Sequence, residues 1–471
     1  MRWMPDEFSD LVAVVDDVTG LVGRTPLVRL KRVTRGAPAA VLVKVEAANP
    51  AGSSKDRAAL SMVRAAEASG DLKPGGVIFE GSSGNTGIAL AMIGAALGYQ
   101  VVVVVPDRSS QEKLGLLRAY GARVVITPAL LPADHPDQVR ALAARLAAQT
   151  PGGWYAGQYD NPANIDAHYS TTGPEIWAQT GGRVTHLVAG IGTGGTLTGA
   201  GRYLREVSGD RVQVVGADPE SSVYGGGSGR PHLVEATGRF VHPDTGTDVW
   251  PRSYDPSVAT TVRQVPDRAS ITMTRALARE EGLLLGASGG LAVAAAVALA
   301  HTLGPDDVVV AIAPDSGRSY LSKYFDDDWV SSRGFGPETG QVPAAALVSE
   351  TIAHSATVEQ ARAALRRGHS LPVVVRPDEQ VEPVTVAQVI GSASPADLRD
   401  AAAEDLVADH LGPALPIAGV HESVASVRDR LTPAQDAVVI THDGLVVAVL
   451  PRSGLDDRTT AIGELVDAPR G

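Results

Sequence analysis

The chain has 471 residues, 44% apolar and 20% charged, the composition of a globular protein with room for two to four domains. Its 41 basic and 53 acidic residues give a net charge of −12, which excludes a mainly electrostatic grip on nucleic acid or anionic lipid. No apolar run is long enough for a bilayer, Met1–Glu7 lacks a signal peptide's order, and the lack of cysteine rules out disulfides, thiolate catalysis and thiolate-held haem or iron–sulfur clusters. A soluble, cytoplasmic protein is expected.

From about residue 40 to 325, short Val-rich runs alternate with Ala-rich helical stretches. Val41–Val45 reads as a strand and Lys55–Ala68 as a helix. Val77–Glu80 is a strand, followed by a Gly84–Gly87 loop and an apolar helix over Ile88–Leu97. Val101–Val105 is a buried strand type ended by Pro106, and Val124–Ile126 follows a further helix. His186–Ala189, Val212–Gly216 and Val308–Ile312 continue the alternation. Near-continuous apolar strands separated by helices predict parallel sheets covered on both faces, with ligand-binding loops at the strands' C-terminal ends.

After Trp329 the pattern changes. Ser331–Gln341 is rich in Gly, Ser and Pro and reads as a linker. Beyond it, two similar segments form a weak internal repeat with a period of about 65–70 residues. In the first, Thr357–Arg367 is helical, Leu371–Val375 is a strand, and Val384–Ile390 leads into a helix. In the second, Val424–Leu431 is helical, and Asp436–Ile440 and Leu445–Leu450 are strands.

Four loops carry chemistry. Asn49-Pro50-Ala51-Gly52-Ser53-Ser54-Lys55-Asp56-Arg57 holds a lysine at a helix start, where the helix field and Arg57 would both favour its neutral, nucleophilic form. Most lysines are merely solvated. Gly192-Thr193-Gly194-Gly195-Thr196 follows a strand and opens a helix, an arrangement that suits a phosphate dianion and equally serves as a tight strand–helix turn. It is neither a dinucleotide fingerprint nor a Walker loop. The Ser82–Gly87 loop offers neutral donors from Ser82, Ser83, Asn85 and Thr86; these suit an amino acid's carboxylate, or simply cap the helix. Ser288, in Gly286–Gly290, has the same two readings. His168 and His186 read as hydrogen-bonded structural histidines, since no partner of theirs stands at metal-ligand spacing, and Asp326–Asp328 as a solvated turn; no metal is expected.

In order and in combination, these motifs resemble the pyridoxal-phosphate enzymes of β-replacement, the cysteine synthase and cystathionine β-synthase group of fold type II. The resemblance covers roughly residues 15 to 335. It implies an α/β fold of two intertwined parallel-sheet domains, with a catalytic core over 1–335 that contains a smaller domain at about 46–157. A linker would follow at 336–344 and a pair of CBS motifs at 345–471. Carried over by resemblance, Lys55 would bind the cofactor covalently and Asn85 would hydrogen-bond its 3′ oxygen. Gly192, Thr193, Gly194, Gly195 and Thr196 would hold its phosphate, and Ser288 would face its pyridine nitrogen. Ser82, Ser83, Thr86 and Gln158 match the positions that hold the substrate carboxylate.

Gln158–Pro162, His168–Thr172, Asp218–Glu220 and Pro314–Tyr320 look more like cystathionine β-synthase than like plain cysteine synthases. The implied reaction is L-serine with L-homocysteine giving L-cystathionine. The same-class alternative is O-acetylserine or O-phosphoserine with sulfide, and a different class is a non-catalytic, cofactor-binding regulator. The implied cofactor is pyridoxal 5′-phosphate without haem. The implied partners are amino-acid substrates and a second copy in a homodimer or homotetramer, with no nucleic acid or membrane. Two features depart from the family: Ala236 stands after Glu235 where a glycine is usual, and Arg239–Gly246 looks like a short insertion. A CBS motif usually carries Thr or Ser, then Asp three residues later. Here the matching pairs are Thr385 and Gln388, then Pro451 and Gly454, so weak or no adenosyl-ligand binding is expected.

Overall fold

A computed structural model describes residues 14–82, 84–245, 250–336, 350–365, 368–377, 383–455 and 462–463. The chain opens with β1 (Leu27–Arg29), β2 (Ala40–Val45) and α1 (Lys55–Ser69). There follow β3 (Val77–Gly81), α2 (Asn85–Leu97), β4 (Gln100–Pro106), α3 (Gln111–Ala119), β5 (Arg123–Thr127), α4 (Val139–Ala148) and β6 (Gly153–Tyr155). Then come α5 (Ala163–Ala167), α6 (Gly173–Gln179), β7 (His186–Gly190), α7 (Gly195–Ser208), β8 (Gln213–Pro219), β9 (Thr261–Val265), α8 (Asp267–Glu281), α9 (Ala287–Ala300), β10 (Val308–Ala313) and α10 (Asp327–Ser332).

These strands make two sheets. The smaller is wholly parallel, in the order β5-β4-β3-β6; the larger runs β1-β2-β10-β7-β8-β9 and is parallel except for β1. Helices α2 and α9 are apolar nearly all round, which is why both are buried, each in the core of one sheet. Parallel strands end on one side, so the loops after β2, β3, β7 and β10 face a common space. The helix expected from Ile88 already begins at Asn85. Gly84 makes this possible: its φ of +145° turns the chain, and a Cβ there would meet Lys113 Cδ at 2.5 Å. Among the described residues, no helix is long and apolar enough to cross a membrane.

The C-terminal part holds β11 (Ile352–Ala353), α11 (Val358–Ala364), β12 (Leu371–Val374), β13 (Val384–Thr385), β14 (Val389–Ala393), β15 (Ile417–Gly419), α12 (Val424–Arg430), β16 (Ala437–His442) and β17 (Leu445–Pro451). The repeat is visible in the pairing. β11 is parallel to β12, which is antiparallel to β14; β15 is parallel to β16, which is antiparallel to β17. Both helices start from a hydroxyl cap, Thr357 and Ser423. The helix expected after Ile390 does not form. Pairing with β12 carries β14 through Gly391 and Ser392 to Ala393, and Ser394 then donates its N–H (2.9 Å) and hydroxyl (2.6 Å) to Asp397 in a turn.

The start of the expected linker is docked. Ser331 and Ser332 end α10, the Thr441 hydroxyl donates to Ser332 O at 2.6 Å, and a Cβ on Gly334 would meet His442 Cα at 2.5 Å. Residues 337–341 of that stretch, and all of the 336–344 linker beyond residue 336, lie outside the described residues. From α8, Arg268 donates to Gly334 O (2.9 Å) and Gly336 O (2.8 Å) and pairs with Asp443 in the β16–β17 turn. Hydrogen bonds to a charged group contribute about 1.5–3 kcal/mol. Arg268→Ala is therefore expected to lower stability by about that amount, and in calorimetry to split the C-terminal sheets from the core as an earlier transition.

Candidate active site

Lys55 opens α1 at the end of a tight loop, where Ser54 N donates to Pro314 O at 2.7 Å and Ser316 N donates to Gly52 O at 3.2 Å. The lysine loop is thus stitched to the segment after β10. Burial lowers the Lys55 amine below its ordinary range, against the pull of Asp315 and Glu46. The expected contribution of Arg57 is not found, because that guanidinium is committed elsewhere. It bonds Glu46 through Nε (2.7 Å) and one terminal nitrogen (2.9 Å), Glu175 at 2.6 and 2.8 Å, and the Thr25 hydroxyl at 3.0 Å. Lys44 Nζ joins the same network at 2.7 Å from Glu175. Arg57 fastens the first turn of α1 and leaves desolvation to set the state of Lys55.

Asp315, directly after β10, is buried and collects the other loops. It accepts Asn85 Nδ2 at 2.7 Å, the Ser288 hydroxyl at 3.4 Å and the Tyr320 hydroxyl. Its backbone carbonyl accepts Gly286 N at 3.1 Å, and only a glycine fits there, since a Cβ would lie 2.0 Å from Asp315 Oδ1. Burial raises the carboxyl group's pKa.

The Ser82–Gly87 loop follows β3. Thr86 donates its hydroxyl to Gln158 Oε1 at 2.6 Å, and Gln158 Nε2 donates to Glu80 Oε1 at 3.2 Å. Ser82 Oγ accepts Gly84 N at 3.1 Å. Ser83 lies outside the described residues. Lys55, Ser82, Asn85, Thr86 and Gln158 line a chamber of about 270 Å³, closed on its far side by Gly192, Thr193, Ala236 and Thr237. A smaller cavity on the other side of Lys55 is walled by Gly192, Thr193, Gly194, Thr196 and Ser288, with Ala189, Ile312 and Pro314 as apolar surface.

The glycine loop after β7 requires its glycines. A Cβ on Gly194, whose φ is +91°, would lie 2.4 Å from Tyr254 Cβ, and one on Gly195 would lie 2.2 Å from Asn164 Oδ1. Asn164 holds the loop from below: its Nδ2 donates to Thr193 Oγ1 (3.1 Å) and to Gln158 O (2.8 Å), while its Oδ1 is buried without a partner. Thr196 Oγ1 lies 3.1 Å from His168 Nε2, and His168 Nδ1 lies 2.9 Å from Thr172. The structural reading of His168 therefore holds. Burial keeps this imidazole well below its ordinary pKa, and a π-helical turn over His168–Thr172 sets its position. The Asp326–Asp328 run is also structural, but as a cap: Asp326 accepts Trp329 N at 2.6 Å.

Several residues at the site carried no assignment in the sequence. Glu235 is held between Lys113 (2.8 Å) and Lys323, which keep it ionised and its pKa low. Ala236 adopts φ +66°, the region that favours glycine, at a cost on the order of 1–2 kcal/mol. Arg140 lines the 270 Å³ chamber and also an outer one of about 310 Å³ with Tyr159, Gly238, Arg239 and Trp250. Glu80 and Asp315 had a signal: each is a carboxylate at or just past the C-terminal end of an apolar parallel strand.

Burial lifts Glu80 from its ordinary 4.5 to about 8, so it is neutral near pH 7. Protonation then favours the folded state. Stability should fall as pH rises from about 4.5 to about 8, by at most about 1.4 kcal/mol per pH unit, and be level above that. In urea titrations across this range, Glu80→Gln should reduce the slope by up to that amount and leave the contributions of Asp56, Asp218 and Asp315, whose pKa values burial also raises.

Comparison with known proteins agrees with this geometry. Residues 18–315 match the family described as pyridoxal-phosphate dependent enzyme. Cysteine synthase 1 of Emericella nidulans is 42% identical over 331 residues, 69% of this chain and 89% of that protein. Cystathionine beta-synthase of Apis mellifera is 38% identical over 329 residues, 69% of this chain and 64% of that protein. The crystal structure of O-ureido-L-serine synthase superposes with a TM-score of 0.61 at 40% identity, covering 67% of this chain and 96% of that one. The chain belongs to the pyridoxal-phosphate dependent enzyme family, in the fold-type-II group that includes both cysteine synthases and cystathionine β-synthases.

Proposed function

We propose that this enzyme catalyses β-replacement on an L-serine-type amino acid, joining L-serine to L-homocysteine to give L-cystathionine and water. The observation that carries the reading is the pair of chambers joined at Gln138, Arg140, Tyr159 and Gly238. The inner one, of about 270 Å³, suits the amino acid beside Lys55; the outer one, of about 310 Å³, has room for a second amino acid, with Arg140 to receive its carboxylate. Sulfide needs no such space.

The residues fit pyridoxal phosphate. The Gly192–Thr196 loop heads a helix of 14 residues and walls the small cavity beside Lys55, a setting suited to a phosphate dianion. Ala189, Ile312 and Pro314 suit a flat ring, Asn85 and Ser288 its polar edge, and Lys55 its covalent anchorage. When bound, the cofactor supplies an electron sink that makes the substrate Cα proton acidic. The protein does the rest. Thr86, Ser82 and Gln158 orient the substrate carboxylate. The Lys55 amine, whose hold on its proton is weakened by burial, takes the Cα proton and makes a proton available to the departing hydroxyl. The Cβ–O bond breaks and the hydroxyl leaves as water; the thiol sulfur then forms the new Cβ–S bond, its proton passes to the Lys55 amine, and Lys55 returns a proton to Cα.

A second reading, a cysteine synthase using O-acetylserine or O-phosphoserine with sulfide, is favoured by the names of relatives such as cysteine synthase B of Escherichia coli, 44% identical over 306 residues. One assay separates the two: serine or O-acetylserine offered with homocysteine or sulfide, and products resolved by mass. Serine with homocysteine should show the higher kcat/KM, and Lys55→Ala should lose most of kcat with every pair. A clear preference for sulfide would establish the second reading.

For the C-terminal repeats, the proposal is a CBS pair that serves packing rather than adenosyl-ligand binding. Gln388 is used internally: its Oε1 accepts Thr385 N at 2.9 Å and its Nε2 donates to Val375 O at 2.8 Å, while Thr385 Oγ1 donates to Pro231 O at 3.0 Å. Pro451 and Gly454 bring no side-chain acceptor. Calorimetry with adenosylmethionine should show little heat; a micromolar Kd with altered kcat would overturn this reading.

A further inference from the structure

At the wall of the outer chamber three ligating side chains meet, one of them distant in sequence from the other two. His242 and Asp244 belong to the Arg239–Gly246 segment that departs from the family pattern, and His354 follows β11, 110 residues beyond Asp244. His354 Nε2 lies 2.9 Å from Asp244 Oδ2, and His242 Nδ1 lies 3.6 Å from that same oxygen. The two imidazoles stand edge to face, 5.3 Å apart at 87°. One ligand atom from each of the three residues lies within 4.8 Å of the others.

An ordinary ion pair with Asp244 accounts for His354 alone; His242 Nδ1 accepts Asp244 N at 3.2 Å, a long bond that an ion would replace. Tetrahedral zinc, with bonds near 2.0–2.1 Å, holds its ligand atoms about 3.3 Å apart. The 2.9 and 3.6 Å separations bracket that value. Two imidazoles and one carboxylate suit a borderline ion of the zinc class, and leave calcium and magnesium, which take oxygen ligands, poorly served. His242 is buried, while the Asp244 side chain is 53% exposed and gives an ion a way in.

The position has a consequence for the enzyme. On one face, Phe240, Val241 and His242 wall the outer active-site chamber of about 310 Å³. On the other, they wall a cleft of about 360 Å³ against Val375, Pro383 and Gln388 of the C-terminal repeats. We propose that His242, Asp244 and His354 bind one zinc-class divalent cation, which clips the C-terminal repeats to the segment that walls the outer chamber. The site holds whichever thiol the enzyme uses.

The test uses the full chain, stripped with chelator, dialysed and titrated with zinc chloride by calorimetry. One equivalent per chain should bind with a Kd of about 10 µM or tighter. His354→Ala and the milder Asp244→Asn should each weaken binding at least about tenfold. Hydrogen exchange at 238–245 and 352–354 should slow with zinc in the parent chain and not in His354→Ala. Absence of saturable binding, or binding unchanged in Asp244→Asn, would overturn the proposal, and neither outcome depends on the substrate assay.

Discussion

Asp315 holds together chain segments that are far apart in sequence. Its backbone bridges Ser53 beside Lys55 and receives Gly286, and its side chain is shared by Asn85, Ser288 and Tyr320. A buried carboxyl group satisfied by several neutral donors fixes all of them, since leaving any one unpaired in a dry interior is costly. The lysine loop, the Asn85 turn and the head of α9 rise from both sheets and from a helix between strands. They become one site only because each is tied to this residue.

The parallel sheets were legible because buried strands such as Val101–Val105 and Val308–Ile312 carry unbroken apolar runs. The glycine and hydroxyl loops were legible because they fall at the ends of those runs. The tertiary ties were not. Nothing local distinguishes Arg57 as a residue committed to Glu46 and Glu175, so its influence on Lys55 was overestimated. Glu235 is paired with Lys113 and Lys323, partners 122 and 88 residues away, a relation that no window along the chain contains. The stretch after Ile390 was misread for a different reason: its strand ends in Gly391–Asp397, where turn chemistry prevails over the helix expected from the repeat.

Ala236 shows how a site can carry strain. Its left-handed backbone lets the chain pass between the glycine loop and the outer chamber, with its carbonyl 2.9 Å from where a Gly192 Cβ would be. The methyl group is present at an energetic cost, and Ala236 lines both cavities beside Lys55. Such strain persists only where neighbouring structure over-determines the conformation. Glu235, locked by two ammonium groups, and Gly238, whose N–H donates to Ile191 O at 2.7 Å, do so on either side.

β13 belongs by sequence to the first C-terminal repeat, yet it hydrogen-bonds to β17 of the second and completes that sheet as its edge. Neither repeat is a free-standing unit. A chain ended between β14 and β15 would leave β13 without its strand partner, while the second repeat alone would bare the long apolar β17 as an open edge, the kind of surface that recruits other chains. The repeats must then fold as one cooperative body. This favours inheritance of the module whole, and it places tolerated breakpoints for recombination ahead of β11 rather than between the repeats.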